Sequence, residues 1–229
     1  MTLNAVLFDL DNTLYDTSTL VKTARMEACE AMLAAGLPAK SAEEAFAKLK
    51  KIVKKHGSNY PRHYNKLCES YGITENIEIV TSGRIAYHNA KFALMNPFPN
   101  TERVLLHLAK CGVKLGIVTN GLEDKQWEKI LRLKIRHFFD TIIISGEQDP
   151  QADKKRLIRR ALRELGTEAD STAFIGDNLK TDIAPANALG LLSVRFVPSS
   201  KKLTKPRKRL ERPEKTIRRI EDLPAALGF

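Results

Sequence analysis

At 229 residues, 43% apolar and 28% charged, the chain has the balance of a globular protein and the length for one large domain or two small ones. No apolar run reaches the roughly 18–20 residues that a membrane-crossing helix needs. Three widely spaced cysteines without a CxxC pair (Cys29, Cys68, Cys111) argue against a disulfide framework or a zinc site, and each reads as a small core residue.

The net charge of +11 is unevenly placed: ten basic residues and two acidic ones lie between Ser200 and Ile220, which leaves the rest close to neutral. Met1-Thr2-Leu3-Asn4 lacks the basic stretch of a secretory signal, and the apolar run behind it is cut by Asp9 and Asp11. A cytoplasmic protein is therefore expected.

Ala5–Leu10 is the first of five short apolar runs that read as buried strands. From about residue 18 to 95 no buried strand is evident. That stretch reads as about four amphipathic helices, separated at Gly36-Leu37-Pro38, Gly57-Ser58-Asn59-Tyr60-Pro61 and Tyr71-Gly72. Asn96-Pro97-Phe98-Pro99-Asn100 marks its end.

Strands and helices then alternate. A helix over Glu102–Cys111 carries Val104, Leu105 and Leu108 on one face and precedes a strand at Leu115–Asn120. A helix over Lys125–Leu133 carries Trp127, Ile130, Leu131 and Leu133, and a strand follows at Thr141–Ser145. A helix over Lys155–Leu165 leads to a strand at Thr172–Asp177, and a helix over Asp182–Leu189 leads to a strand at Leu192–Val197. This alternation predicts an α/β fold, a Rossmann-like parallel sheet with helices on both faces. The core would comprise residues 1–17 and 96–229, interrupted by a helical insert over 18–95. The basic segment, 199–219, reads as a mobile surface loop within the core, leading to a final helix near Ile220–Leu227.

In an open parallel sheet, ligands bind beyond the carboxyl ends of the strands. Three strands here end in polar clusters: Asp9-Leu10-Asp11-Asn12-Thr13, Thr119-Asn120-Gly121, and Gly176-Asp177-Asn178 with Asp182 five residues after Asp177. Carboxylates gathered on one edge repel and raise one another's pKa, a penalty that a hard divalent cation removes. Mg²⁺ takes oxygen ligands and commonly keeps a substrate phosphate beside its waters. Asp9, Asp11, Asp177 and Asp182 are thus candidate metal residues. Asp9 can attack phosphorus to form an aspartyl phosphate. Asp11, on the same side of an extended chain, can protonate the leaving alcohol and then activate water. Thr119, Asn120 and Gly121 can hold phosphate oxygens.

Phe8-Asp9-Leu10-Asp11-Asn12-Thr13-Leu14, Val118-Thr119-Asn120-Gly121 and Gly176-Asp177 through Asp182 resemble the first, second and fourth motifs of the haloacid dehalogenase superfamily. The resemblance spans residues 4 to about 197, and the helical insert is similar to the C1 cap of phosphoglycolate phosphatase-like members. Gly57-Ser58-Asn59-Tyr60-Pro61, Ala86-Tyr87-His88-Asn89-Ala90-Lys91-Phe92 and Lys125-Gln126-Trp127-Glu128-Lys129-Ile130-Leu131 resemble an archaeal subgroup of phosphatases. The resemblance implies a Mg²⁺-dependent phosphatase acting on a small phosphorylated metabolite. Asp9 would be nucleophile and metal ligand, and Asp11 the acid/base with its backbone carbonyl on the metal. Asp177 would be the second side-chain ligand, and Asp182 would orient the metal's waters or Asp177. A carboxylate at position 11 speaks against dehalogenation.

The third family motif, a lysine before the third core helix, departs. Ungapped alignment from Ser145 to Ala161-Leu162 puts Ala152 there, with Asp153 and Lys155 at the usual prolines. A bend in the loop would bring Lys154 in as a replacement phosphate-binding and catalytic lysine. Without that bend, the chain would be a weakened enzyme, or a fold kept as a nucleic-acid or protein binding module through its basic segment. That segment has no aromatic residue for base stacking, so nucleic acid is an unsupported partner. A membrane partner is not expected, and a homodimer is open. Tyr60, Arg62, His63, Tyr64, His88 and Lys91 are the insert's candidates for substrate choice. The five histidines show no metal-ligand spacing.

Overall fold

The computed structural model describes residues 3–74, 76–146, 148, 149 and 152–229, and the chain divides into two compact units, Met1–Asp16 with Asn96–Phe229, and Thr17–Met95. Among the described residues no helix is long and apolar enough to cross a membrane.

The first unit is built on a six-stranded sheet whose pairings are all parallel: β1 (Ala5–Phe8), β2 (Lys114–Thr119), β3 (Thr141–Ile144), β4 (Thr172–Gly176), β5 (Leu192–Phe196) and β6 (Lys215–Ile217), in the order β3-β2-β1-β4-β5-β6. β1 lies between β2 and β4, and all four of its side chains are buried, which is why it reads as an unbroken apolar run. Its register aligns the site. Phe8 pairs with both Ile117 and Ile175, so the residues just past the ends of β1, β2 and β4 come to one edge. The Asp9 N–H still bonds the Ile175 carbonyl at 2.9 Å and holds the departing chain against β4.

The helices of this unit are α5 (Thr101–Lys110), α6 (Glu123–Arg132), α7 (Lys154–Leu165), α8 (Ala184–Leu189) and α9 (Leu223–Leu227). α7 packs Leu157, Ile158, Ala161 and Leu165 against Leu7, Val118, Ile143 and Phe174 from four strands. Burying a side chain of that size stabilises by about 1.5–3 kcal/mol, which firmly anchors the start of α7. α6 differs from expectation. It buries Gln126 and Ile130 and leaves Leu131 60% exposed, so a polar residue occupies a core-facing position.

The basic segment also differs. A helical turn (Arg209–Glu211) and β6, paired parallel with β5, lie inside the expected loop. Its three-residue strand, mostly exposed, carries too little apolar signal to be read from the sequence.

Among its described residues the second unit holds four helices: α1 (Thr17–Ala34), α2 (Ala42–His56), α3 (His63–Glu69) and α4 (Ile77–Leu94). Its core includes Cys29, Met32, Leu37, Phe46, Leu49, Leu67 and Ile79. Ser41 caps α2 by accepting from the Glu44 N–H, while Glu44 accepts in return from the Lys40 N–H; Asn76 caps α4 through the Ile79 N–H. Cys29 and Cys68 are buried free thiols, as expected, and burial pushes Cys29 up to about 12. Cys111 is exposed rather than a core residue, because it follows the last turn of α5.

Candidate active site

The chain leaves β1 through a tight turn in which Leu10 accepts from the Thr13 and Leu14 N–H groups and Asn12 sits in the left-handed region at φ 62°. Asparagine is among the few side chains that tolerate this conformation. The turn leaves Asp9 buried at 6% exposure on the edge defined by the register, with Asp11 beyond it.

Lys154 reaches Asp9 from the first turn of α7. Its Nζ donates to Asp9 Oδ1 at 2.5 Å and to Asp182 Oδ1 at 2.7 Å, and Lys154 is only 6% exposed. The expected lysine gap at Ala152 is therefore an artefact of ungapped alignment. Ala152 packs in the core cluster with Leu157 and Phe174, and its carbonyl accepts from Asn120 Nδ2 at 2.8 Å. The helix start, capped by Asp153 through the Lys155 N–H, puts the lysine two residues later. With a lysine on Asp9, Ala152 no longer argues for a weakened enzyme, and the binding-module reading is left with the basic segment alone.

Asp182 is presented by a wide helical turn (Leu179–Ile183) after β4, whose start Asn178 caps through the Lys180 and Thr181 N–H groups. Its second oxygen accepts from the Asn178 N–H at 2.9 Å, so both oxygens are engaged. The close approach of this turn needs Gly176. A Cβ there would lie 2.4 Å from Asp182 Cβ and 2.6 Å from its Cγ. Gly176→Ala is expected to destabilise by about 1–3 kcal/mol through overpacking and to push Asp182 off Lys154. Thermal denaturation together with steady-state turnover tests this, and an alanine variant with wild-type Tm and kcat would show that the turn yields freely.

Carboxylate oxygens of Asp9, Asp177 and Asp182 lie within 4.8 Å of one another. Burial pushes the Asp9 carboxyl up to about 8; Asp182 and Asp11 add to the rise and Lys154 opposes it. Burial and Asp182 push Asp177 up to about 6, against Lys201, Lys154 and Arg195. Burial would lower Lys154, but Asp182 and Asp9 hold it above its ordinary value, so it stays charged. Lys154 thus bonds two of the three crowded carboxylates, Asp9 and Asp182, while positive charge acts on Asp177 only through longer-range attraction to Lys201, Lys154 and Arg195. An oxygen-only donor set short of positive charge fits a hard divalent cation such as Mg²⁺.

Asp11 is gripped from another side. Lys129 Nζ donates to both of its oxygens at 2.8 and 2.9 Å, Tyr15 Oη donates to Oδ1 at 2.6 Å, and Gln126 Nε2 to Oδ2 at 3.2 Å. Gln126 Nε2 also donates to Thr119 Oγ1 and to the Asn120 carbonyl, both at 2.7 Å. The Gly121 N–H donates to Ser145 Oγ at 2.9 Å. Asp9, Asp11, Thr119, Asn120, Lys154, Asp177 and Asp182 thus line one cavity of about 460 Å³. Gly121 stands behind it, committed to Ser145.

Sequence reasoning missed Gln126, Lys129 and Tyr15. Gln126 and Lys129 lie three residues apart on α6, directly after Thr119-Asn120-Gly121, and a glutamine at a core-facing helix position was the available signal. In the four-helix unit, Tyr60 stacks on His56 (4.6 Å between ring centroids) and meets His63 edge-on, while His63 Nε2 lies 2.8 Å from the Gly57 carbonyl. His88 lies between Tyr87 and Phe92, Tyr64 pairs with Tyr87, Lys91 is 9% exposed and Arg62 is exposed.

Comparison with known proteins finds relatives along most of the chain and structures of similar fold. Glyceraldehyde 3-phosphate phosphatase of Methanothermobacter thermautotrophicus is 42% identical over 192 residues, 84% of each chain. The protein of that name from Methanopyrus kandleri is 39% identical over 222 residues, 96% of this chain and 95% of that one. Among solved structures, the HAD-hydrolase YfnB from Bacillus subtilis bound to magnesium superposes with a TM-score of 0.69 at 20% identity, covering all of both chains. A HAD phosphatase from Thermococcus onnurineus gives 0.66 at 21%, covering 100% of this chain and 98% of that one. A family model for haloacid dehalogenase-like hydrolases matches residues 6–196, and the chain belongs to that family.

Proposed function

We propose that this protein is a Mg²⁺-dependent phosphoric monoester hydrolase that works through an aspartyl phosphate on Asp9. The ion pair between Lys154 and Asp9, buried at the end of the central strand, carries this reading. Lys154 engages Oδ1 and leaves Oδ2 to attack phosphorus, and the lysine charge stands beside the attacking carboxylate, where it can meet a phosphate oxygen. Asp182, held by the Asn178 N–H, fixes the lysine from behind. Thr119 Oγ1, oriented by Gln126, and the backbone around Asn120 supply further phosphate contacts.

Asp9 and Asp177 are the side chains assigned to the metal, with the Asp11 carbonyl beside them and Asp182 supporting. A bound Mg²⁺ would neutralise charge on the phosphoryl oxygens. Asp11, which must give up one of its two contacts with Lys129 and enter the step protonated, hands that proton to the departing alcohol as Asp9 bonds to phosphorus and the O–P bond to the alcohol breaks. It then takes a proton from the water that frees Asp9 and releases inorganic phosphate. Lys129 and Gln126 act as positioning residues for Asp11. Lys129→Met is expected to lower kcat roughly 10²-fold with KM little changed, and Lys129→Arg to restore part of it. An equal rise in KM with kcat intact would assign Lys129 to substrate binding instead.

The named relatives are glyceraldehyde 3-phosphate phosphatases, so a triose phosphate of that kind is the substrate we propose first. The unit Thr17–Met95 is assigned the role of a C1 cap, with Tyr60, Arg62, His63, Tyr64, His88 and Lys91 its candidates for substrate choice. Free buried thiols at Cys29 and Cys68 suit a reducing, cytoplasmic setting. The test is release of inorganic phosphate from glyceraldehyde 3-phosphate and a panel of small phosphate monoesters, with Mg²⁺ and with chelator. Mg²⁺-dependent turnover, fastest on the triose phosphate, is expected. No turnover on any ester would sink the reading, and turnover that prefers another ester would sink the substrate.

A further inference from the structure

Most of the net positive charge sits on a surface that the structure holds in a defined shape. Glu211 is 4% exposed, and its Oε2 accepts from the Arg207 and Lys208 N–H groups at 2.7 and 3.4 Å. Asn187 Nδ2 donates to the carbonyls of Leu210 and Arg212. Arg195, 7% exposed, donates to the Asp177 carbonyl and, through both terminal nitrogens, to Thr204. Arg218 holds the carbonyls of Ser199 and Lys201, and Lys201 Nζ reaches Asn12 at 2.9 Å and Asp16 at 3.1 Å. Exposed and part-buried polar contacts fix the backbone, while Lys202, Lys205, Arg207, Lys208 and Arg209 are exposed.

Between this segment and the turn after β4 lies a second cavity of about 410 Å³. Lys180, Arg195, Lys205 and Arg207 line it, with Thr204 between them. Its acidic members are Glu211, whose carboxylate accepts from two backbone N–H groups and also feels the charges of Lys180 and Lys208, and Asp177, which also lines the Asp9 cavity. Lys180, Lys205 and Arg207 are exposed, and among the described residues their side chains make no hydrogen bond or ion pair. Four positive charges that line one cavity repel each other. An anion in the cavity would relieve that repulsion, and guanidinium and ammonium groups together suit a phosphate.

We propose that this cavity binds a small phosphate-bearing anion at a site separate from the one assigned to the scissile phosphate. The two cavities share Asp177, Asn178 and Lys180 as a common wall. The anion has two conceivable sources, a second phosphate on the substrate itself or a free phosphorylated metabolite. The recognising chemistry is the same for both. This binding does not depend on the phosphatase reading, since it is measured without turnover.

The experiment is a titration of the isotope-labelled full chain, in excess Mg²⁺, with inorganic phosphate, followed by backbone amide shifts. Saturable shifts at residues 204–211 are expected in addition to those at 9–13. Lys205→Ala/Arg207→Ala, two exposed substitutions, is expected to weaken the response at 204–211 at least tenfold and leave that at 9–13 in place. Absence of saturable shifts at 204–211, or shifts that persist unchanged in the double variant, overturns the proposal. So does a segment that answers only to duplex oligonucleotide at roughly 150 mM salt, which would mark a nucleic-acid surface. The source is read from KM in the double variant. A tenfold rise for a bisphosphate ester alone assigns the site to substrate, and unchanged KM for mono- and bisphosphates assigns it to a free anion.

Discussion

Replacing Asp9 by Asn is expected to reduce turnover by about 10⁴-fold or more, the scale on which a nucleophile acts together with its partners. The amide nearly matches the carboxylate in shape but cannot attack phosphorus, and it offers a weaker oxygen to a cation. The same substitution should leave folding almost untouched. Lys154 keeps Asp182 as a partner at 2.7 Å, and a carboxyl that burial pushes up to about 8 no longer has to be kept charged out of water. Steady-state phosphate release and Tm in chelator separate the two effects. A folded variant that retains a tenth of wild-type activity would remove Asp9 from the role of nucleophile.

Lys154→Met is expected to cost both activity and stability. Loss of a preorganised cation beside the reacting centre lowers kcat by roughly 10²–10³-fold. Removal of the cation also leaves Asp9 and Asp182 buried, facing each other, without the charge that serves both. Breaking a buried pair from one side destabilises by about 3–5 kcal/mol, on the order of 10 °C in Tm for a chain of this size. Added Mg²⁺ should recover much of the lost Tm, because a divalent ion answers the same excess of negative charge, while activity stays low. Wild-type rates in Lys154→Met would show that the lysine is structural only. Lys154→Arg is not a conservative alternative, since a planar fork must replace a compact ammonium at a position 6% exposed.

The acidic side of this site was legible in the chain because strand ends are local. An apolar run followed by Asp9-Leu10-Asp11, by Thr119-Asn120-Gly121 or by Gly176-Asp177 marks where a buried strand meets the ligand edge, and parallel register does the rest. The donors that organise those carboxylates were harder to read. Ungapped alignment puts the lysine position at Ala152 and leaves Lys154 as a replacement that needs a bend, because the length of the loop before α7 obeys no periodicity. Gln126 and Lys129 looked like ordinary members of an amphipathic helix whose face was taken from Trp127 and Leu131, yet the helix is rotated so that Leu131 is exposed and Gln126 buried. The basic segment reads as a solvated charge run because part of what shapes it is distant: Asn187, Ser193 and Arg195 hold it from outside, beside Glu211 and Arg218 within it.

Composition, period and strand-end chemistry by themselves determined the α/β architecture, the helical unit after the first strand and the acidic edge. Each is written in the spacing of neighbouring residues and in hydrophobic burial, which acts on every segment at once. Only the tertiary structure decided which cation answers which carboxylate. A salt bridge between residues 9 and 154 leaves no local pattern, and its partners are chosen by where α7 begins and how deeply it packs.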